Sequence, residues 1–261
     1  MSILTPTRGP QAVYRVNPVA KLAAAMVISV ALVLSIDWVS AGVALLTECL
    51  FFFFAGLSPR RFFLRTLPVW IAAPLGGLTI LLYGQASGQT HLQFLFIHVT
   101  DGSIELAIAT LLRVLAIGLP AVVLFATVDP TDLADGLAQV LRLPSRFVLG
   151  ALGGLRLVGL FMEDWKALEL ARRARGVADH GRLRRFAGQS FTLLVLSIRR
   201  GSKLATAMEA RGFGSSNRRS WARESRFGWR EVVLILIGMF VAAAAVTVSV
   251  ATGHWNFIAG G

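Results

Sequence analysis

Long runs of apolar residues with almost no charge set the strongest limit on how this chain can fold. Five such segments lie at about 19–36, 38–57, 66–83, 104–126 and 231–252. Each has close to the twenty residues that a helix needs to cross a bilayer, and a helix satisfies its own backbone hydrogen bonds there. Apolar residues make up 55% of the chain, and its mean hydropathy is +0.67. We therefore predict an all-α membrane protein with about five transmembrane helices.

The basic residues predict how these helices are oriented. Of the 26 lysines and arginines, nineteen lie between residues 129 and 230, and most of the others precede the first segment or separate the second from the third. Cytoplasmic segments of membrane proteins carry such an excess. The N-terminus, the 58–65 loop and the 127–230 region are therefore predicted to be cytoplasmic. The 83–103 segment and the C-terminus are predicted to lie outside.

The chain accordingly divides into three parts: a membrane region at 1–126 with four spans, a cytoplasmic region at 127–228 and a last span within 229–261. The cytoplasmic region is too apolar for a loop and shows three helical patterns, at about 129–141, 145–175 and 183–211. Asp129 and Pro130 open the first of these, since proline favours the first helical position and acids favour the first turn.

Two copies of one short pattern end the second and third of these helices. Residues 171–176 read Ala-Arg-Arg-Ala-Arg-Gly, and residues 207–212, thirty-six further on, read Ala-Met-Glu-Ala-Arg-Gly. On a helix, alanines at i and i+3 and an arginine at i+4 share one face, and glycine readily takes the left-handed conformation that ends a helix. The two candidate anchors are Ala171, Ala174, Arg175 and Gly176 in the first signature, and Ala207, Ala210, Arg211 and Gly212 in the second.

The duplicated signature in a membrane setting resembles the T components of energy-coupling factor (ECF) transporters, from about Val19 to Arg211. That resemblance implies a transmembrane coupling subunit of a bacterial or archaeal plasma membrane. Its partners would be two ABC-type ATPase subunits, one per signature, and a substrate-binding membrane S component. The helix opened by Asp129 and Pro130 resembles the first coupling helix of the family. The resemblance also implies uptake of a vitamin or a metal ion, with ATP bound by the partners and no cofactor bound by this chain.

The apolar parts of the two long helices are predicted to lie at an interface rather than to cross the membrane. The stretch 147–162 contains Arg156 and four glycines, and 186–198 is short for a span. Gly150 and Gly154 form a pair of small residues that serves either internal packing or contact with the S component. Arg172 and Arg173 have no basic counterparts in the second signature and are expected to be solvated or lipid-facing.

Arg113 lies near the middle of the fourth apolar segment, where an unpaired charge is costly. It resembles an arginine found in that span of the family. One interpretation is contact with a partner subunit or a wet crevice. The interpretation we favour is structural, with Arg113 paired to an acid such as Glu48 or to carbonyls freed by Pro120.

Other classes of protein are weakly supported. The net charge of +12 follows from topology, and no nucleic-acid-binding motif accompanies it. No zinc-protease, serine-hydrolase or ATP-binding motif is present, Cys49 is the single cysteine, and His91 and His98 lack a third metal ligand. The alternative is an intramembrane enzyme acting on lipid or prenyl substrates through the acids at 129, 132 and 135. A self-sufficient channel or carrier is a further rival. We expect a non-catalytic subunit without catalytic or metal-binding residues, whose partners are proteins and membrane lipids.

Overall fold

The computed structural model describes residues 16–35, 37–54, 59–84, 87–94, 97–125, 127–176, 181–214 and 220–253. These residues form eight helices and one β-hairpin, and the described residues are predominantly helical, as expected. The elements are α1 (Pro18–Leu34), α2 (Trp38–Phe54), α3 (Pro59–Tyr83), β1 (Thr90–Phe94), β2 (Ile97–Thr100), α4 (Asp101–Phe125), α5 (Pro130–Gln139), α6 (Ser145–Ala174), α7 (Arg182–Ala210) and α8 (Trp229–Ala251).

The described residues separate into two compact units. Residues Pro130–Ser225 form one, which we call the signature unit because it contains both signatures. The described residues before Pro130 and after Ser225 form the other, which we call the membrane unit. The predicted placement of these parts in the membrane and in the cytoplasm stays a prediction.

The membrane unit packs α1, α2, α4 and α8 closely together. Small and branched residues from these four helices form its buried cluster: Ile28, Leu32, Ala44, Ala116, Val241 and Ala245. At Gly238 of α8, an added Cβ would lie 3.1 Å from backbone atoms of Ala24 in α1. Small residues at such contacts let helix backbones approach one another, which is the usual basis of packing between membrane helices.

Side-chain hydrogen bonds join the starts of α1 and α8. The Glu231 carboxylate accepts hydrogen bonds from the backbone amides of Gly228, at 2.8 Å, and Asn17, at 3.0 Å. The ammonium group of Lys21 is buried and donates to the Thr127 hydroxyl at 2.8 Å. Buried charges require such partners, so this end of the unit is fixed by polar contacts.

The lengths of the helices match the predicted spans in part. Four helices of the described chain are long and apolar enough to cross a membrane: Phe62–Tyr83 within α3, α4, α6 and α8. Helices α1 and α2 are apolar but have 17 residues each. By length and composition α6 also qualifies, because Arg156 and the glycines leave an 18-residue window of this helix apolar enough. The prediction that α6 lies at an interface rather than across the membrane stays a prediction. The number of helices that cross the bilayer stays a prediction.

A short β-hairpin between α3 and α4 is an addition to the all-helical expectation. Strands β1 and β2 are antiparallel, with Gln93 opposite His98 and Phe94 opposite Ile97. After β2, Thr100 and Ser103 exchange hydrogen bonds that lead into α4, the Ser103 hydroxyl accepting from the Thr100 amide at 2.8 Å. The side chains of His91 and His98 lie outside the described part of the structure.

Helices α5, α6 and α7 of the signature unit begin and end within a few residues of their predicted bounds. Ala134 and Ala138 of α5 pack with Val148 of α6 and with Trp221. Beyond this cluster, few described side chains of α6 and α7 are buried.

Candidate functional site

The two signatures end their helices with the same backbone geometry. Arg175 occupies the C-cap of α6 with φ −90° and ψ 2°, and Arg211 occupies the C-cap of α7 with φ −89° and ψ 11°. The glycines that follow are left-handed, with φ +69° at Gly176 and +73° at Gly212. Side chains other than glycine rarely adopt this conformation. The predicted helix end is confirmed in both copies.

Backbone hydrogen bonds close these ends. The Gly176 amide donates to the Arg173 carbonyl at 3.0 Å, and the Gly212 amide donates to the Glu209 carbonyl at 2.8 Å. In the second copy, the Phe213 amide also donates to the Met208 carbonyl at 2.9 Å. This pair of bonds is the Schellman motif, which satisfies carbonyls that a helix end otherwise leaves unpaired. Each arginine is therefore held on a defined, closed end.

The signature side chains are available for contact. All eight residues predicted to form the anchors are exposed. No described residue makes a hydrogen bond or an ion pair with the guanidinium of Arg175 or Arg211. An exposed arginine offers five donors in a planar fork that matches a carboxylate or a row of carbonyls. Both helix ends thus present, next to small alanines, a guanidinium whose donors no described residue uses.

The two additional arginines of the first signature behave differently from the expectation. Arg173 is exposed, but its Nη2 donates to Glu169 at 2.8 Å, one turn earlier on α6. Arg172 is half-buried, and its guanidinium lies beside Gly188 of α7. The expectation that both are solvated or lipid-facing was therefore wrong for Arg172, which faces the neighbouring helix.

Polar and aromatic contacts connect α6 to α7. Asp164 accepts two hydrogen bonds from Arg200, one of them at 3.1 Å from Nη2 to Oδ1. Glu169 accepts from Arg185 of α7 at 2.6 Å. The rings of Trp165 and Phe186 lie 5.6 Å apart between centroids. Bidentate pairs of arginine with a carboxylate are the most directional ion pairs in proteins.

The predicted start of α5 is confirmed. Pro130 is its first residue and Asp129 directly precedes it. Along the helix, Asp132 lies 3.4 Å from Arg223. The side chain of Gln139 accepts from the Ser225 amide and donates to the Arg223 carbonyl, both at 2.8 Å. These contacts fix α5 against the segment that precedes α8.

Gly150 and Gly154 of α6 have open space beside them among the described residues. An added Cβ at either position would meet no described atom within 4 Å. The face around them is apolar and exposed, with Phe147, Val158 and Met162 at least half exposed. The choice between internal packing and contact with another molecule therefore stays a prediction for this glycine pair.

Comparison with known proteins places the chain in a family. The sequence profile of the CbiQ family, described as "Cobalt transport protein", matches residues 10–221. The chain belongs to the CbiQ family. The match includes both signatures and all of α1 to α7.

Bacterial relatives named "Energy-coupling factor transporter transmembrane protein EcfT" are similar to this CbiQ-family chain. The protein from Limosilactobacillus fermentum is 27% identical over 210 residues, which cover 73% of this chain and 74% of the relative. That from Bacillus selenitireducens is 25% identical over 252 residues, covering 90% and 92%. That from Exiguobacterium sibiricum is 28% identical over 203 residues, covering 72% and 77%. The resemblance to the T components of ECF transporters is confirmed.

Arg113 has a structural contact in this CbiQ-family chain. Its Nη2 donates to the carbonyl of Ser35, at the end of α1, and the Asp37 carboxylate lies nearby. The predicted partners, Glu48 and carbonyls near Pro120, are not the ones observed. Neither oxygen of the buried Glu48 carboxylate has a hydrogen-bond partner among the described residues.

Asp37 is the centre of a buried polar cluster that sequence reasoning missed. Its carboxylate accepts from the Ser40 amide at 2.7 Å, from the Ser40 hydroxyl at 2.8 Å and from the Ser249 hydroxyl at 2.6 Å. We call Ser35, Asp37, Ser40, Arg113 and Ser249 the clasp. Burial alone would raise the pKa of Asp37, but hydrogen bonds from Ser249 and Ser40 outweigh it, so the pKa lies below its ordinary value. The clasp joins the α1–α2 turn to α4 and α8.

Among the described residues, no three side chains of histidine, cysteine, aspartate or glutamate converge as metal ligands would. The acids proposed for the alternative enzyme are Asp129, Asp132 and Asp135. One of them, Asp132, forms an ion pair with Arg223. The relatives are transporter subunits by name.

Proposed function

We propose that this chain is the transmembrane coupling subunit of an ECF-type ABC importer and that Arg175 and Arg211 each bind one ATPase subunit. The observation that carries the proposal is the repetition of one exposed helix end. In both copies an arginine without a partner among the described residues sits on a closed cap, beside two exposed alanines. Equal geometry at two sites suits a partner that offers two equivalent surfaces.

Helix length supports a mechanical role for these ends. Helices α6 and α7 have 30 and 29 residues, which corresponds to about 45 Å each at 1.5 Å per residue. A groove on each ATPase subunit would hold one arginine through bidentate bonds to carboxylates or through helix carbonyls. When ATP binding closes the ATPase dimer, both grooves move and displace the helix ends. ATP is bound and hydrolysed by these partners, and this chain is non-catalytic.

The exposed apolar faces of α6 and α7 support docking of a substrate-binding S component. On α7, four exposed apolar side chains lie three, four or eight residues apart and therefore form one stripe: Leu183, Phe191, Leu194 and Ile198. On α6, the open glycines 150 and 154 allow a partner helix to approach closely. Exposed apolar surfaces of this extent mark contacts with proteins or with membrane.

The membrane unit supports contact with lipids. Helices α1 and α8 enclose an apolar groove of about 490 Å³ lined by residues such as Met26, Val30 and Val246. Such a surface fits acyl chains and needs no polar partner. Because the basic residues concentrate in 129–230, we place the N-terminus and the signature unit in the cytoplasm of a bacterial or archaeal cell.

The cargo proposed for the complex is a vitamin or a metal ion, bound by the S component rather than by this chain. The description of the CbiQ family names cobalt transport, and the EcfT relatives are named for energy coupling without a cargo. Identifying the S component that co-purifies with this chain would identify the cargo class.

The test is affinity purification of the tagged chain from its native membranes in mild detergent, followed by mass spectrometry. Wild type is compared with Arg175→Glu, Arg211→Glu. The matched control is Arg156→Glu, Arg199→Glu, which makes the same change of charge at two exposed arginines of α6 and α7 outside the signatures. We expect ABC-type ATPases with wild type and with the control, and their loss from the signature variant.

Equal recovery of ATPases with the signature variant would refute the assignment of Arg175 and Arg211 as anchors. Loss of ATPases from the control as well would mean that general positive charge, rather than the signatures, holds the partner. Recovery of wild-type chain without any ATPase would refute the coupling role itself.

A further inference from the structure

The contact between α6 and α7 includes few fully buried side chains. In α6 the one buried side chain is Val148, which packs with α5, and in α7 the one buried side chain described is Gln189. Long helices usually obtain their mutual orientation from interdigitating apolar side chains. Between α6 and α7, the apolar contacts of the described residues include Leu204 beside Gly153, and the polar and aromatic contacts described above are the directional ones.

The bidentate pair of Asp164 with Arg200 has a special position among these contacts. Its two residues are thirty-six apart, which is also the spacing of the two signatures. Asp164 therefore lies eleven residues before Arg175, and Arg200 lies eleven residues before Arg211. Eleven helical residues correspond to about 16 Å along each axis and to about three full turns, so the pair and the arginine share a face of each helix.

We propose that the Asp164–Arg200 pair is a positioning joint that fixes the angle between α6 and α7 at a point equally distant from both signature arginines. The two arms of this joint are the helix segments from Asp164 to Arg175 and from Arg200 to Arg211. Because the arms are equally long, displacement of one helix end produces an equal displacement of the other. The inference rests on the proposed function, because equal arms have a use where two ATPase subunits must move the chain symmetrically.

The surroundings of the pair allow such a joint to form and to release. The Asp164 side chain is 19% exposed and that of Arg200 is 40% exposed, so the pair is partly solvated and carries a moderate desolvation cost. A second ion pair, Glu169 with Arg185 at 2.6 Å, lies between Asp164 and the first signature along α6. It also constrains the orientation of α6 relative to α7, and it buries no apolar surface. Contacts of this kind weaken as salt is added, whereas a packed apolar core does not.

The test measures the distance between the two signatures in the purified full-length chain. Spin labels are placed at Ala171→Cys and Ala207→Cys, two exposed positions, in a Cys49→Ser background. Pulsed electron paramagnetic resonance then gives the distribution of label distances. Because this measurement needs no ATPase, its outcome is independent of the proposed partners.

Four further samples decide the assignment. Asp164→Asn and Arg200→Gln each remove one charge of the pair, and Asp164→Arg, Arg200→Asp exchanges the charges. Glu163→Gln is the control, since Glu163 is the exposed neighbour of Asp164. We expect one narrow distance peak in wild type and in the control, loss of that narrow peak in both single variants, and its return in the exchanged variant. Circular dichroism confirms that each variant keeps its helix content.

A narrow peak in Asp164→Asn would overturn the proposal, and so would a peak that fails to return when the charges are exchanged. A salt titration of wild type provides a measurement without any variant of the pair. The peak is expected to broaden near 1 M NaCl, where the Debye length is about 3 Å. An unchanged peak at high salt would show that packing, not the ion pair, sets the angle. In the reconstituted importer, Asp164→Asn is expected to retain ATPase binding and to transport less cargo per ATP.

Discussion

Replacing Asp37 tests whether the clasp stabilises the membrane unit. In Asp37→Ala, three hydrogen bonds to a buried carboxylate disappear, and Arg113 loses the negative charge near it. Removing one member of a buried, hydrogen-bonded charged group costs about 3–5 kcal/mol of unfolding free energy. Asp37→Asn keeps one oxygen acceptor and loses the charge, so a smaller loss of about 1.5–3 kcal/mol is expected.

The assay is thermal unfolding of the purified chain in detergent, with Ser249→Ala and Thr247→Ala as companions. Ser249 donates to Asp37 across the unit, whereas the Thr247 hydroxyl bonds to carbonyls of its own helix. In a chain of this length, 1 kcal/mol corresponds to roughly 2–4 °C in Tm. Asp37→Ala should therefore lower Tm by roughly 6–20 °C, and Thr247→Ala should change it little.

A double-mutant cycle makes the test specific. If Ser249 acts on stability through Asp37, the Ser249→Ala loss should largely vanish in the Asp37→Ala background, leaving a coupling energy of about 0.5–3 kcal/mol. Additive losses would show that the two side chains act independently. A Tm of Asp37→Ala equal to that of Thr247→Ala would refute the reasoning from the clasp.

Three further outcomes follow from the same structure. The depressed pKa of Asp37 means that its stabilisation is complete above the unfolded pKa of about 3.9 and is lost as pH falls through the lower folded value. Wild type should therefore lose more Tm below about pH 4 than Asp37→Asn, and parallel curves of Tm against pH would contradict this. Gly212→Ala places a Cβ at φ +73° and should lower the unfolding free energy by about 1–2 kcal/mol. In Gly201→Ala, inside α7, the added Cβ meets no described atom within 4 Å, so the unfolding free energy should rise by about 0.5–1 kcal/mol. Calorimetry that gives both changes the same sign would contradict the assignment of Gly212 to the helix cap. The double variant Gly150→Leu, Gly154→Leu should leave Tm nearly unchanged and reduce recovery of the S component in the purification described above. A clear loss of Tm in this variant would indicate internal packing instead.

The helix ends could be predicted because the information that determines them is local. An Ala-x-x-Ala-Arg-Gly pattern fixes helix, cap and left-handed residue within six positions, and Arg211 with Gly212 follows it closely. The bounds of α5 were predictable for the same reason, since Pro130 marks its first turn. The proposal that these ends couple to ATPases rests on resemblance and stays a prediction.

The contacts of buried charges could not be predicted, because they depend on which turn lies opposite. Arg113 is in the middle of α4 in sequence, and its partner is the carbonyl of Ser35, seventy-eight positions earlier. Nothing in the sequence around Arg113 indicates that its partner is the Ser35 carbonyl rather than the Glu48 carboxylate. The sequence likewise indicates a solvated Arg172, whereas in the structure its guanidinium lies beside Gly188 of α7. Long-range partners require the three-dimensional arrangement of the helices.

The composition of α6 does not determine its placement, for a different reason. Glycine contributes little to hydropathy, and a single arginine is diluted over a helix of 30 residues. Composition alone therefore does not separate a span from a helix that exposes apolar residues to a partner protein. The exposure of Gly150 and Gly154 is information of another kind, since it concerns the space beside the helix.

The thin interior of the signature unit has a consequence for how such a subunit exists in a cell. A pair of helices that buries little more than Val148 and Gln189 has little folding free energy of its own. Any molecule that binds the folded form adds stability by mass action. Synthesis of this chain in excess of its partners would then leave orphan copies exposed to proteases. Its abundance in the membrane would follow the supply of the other subunits rather than its own expression.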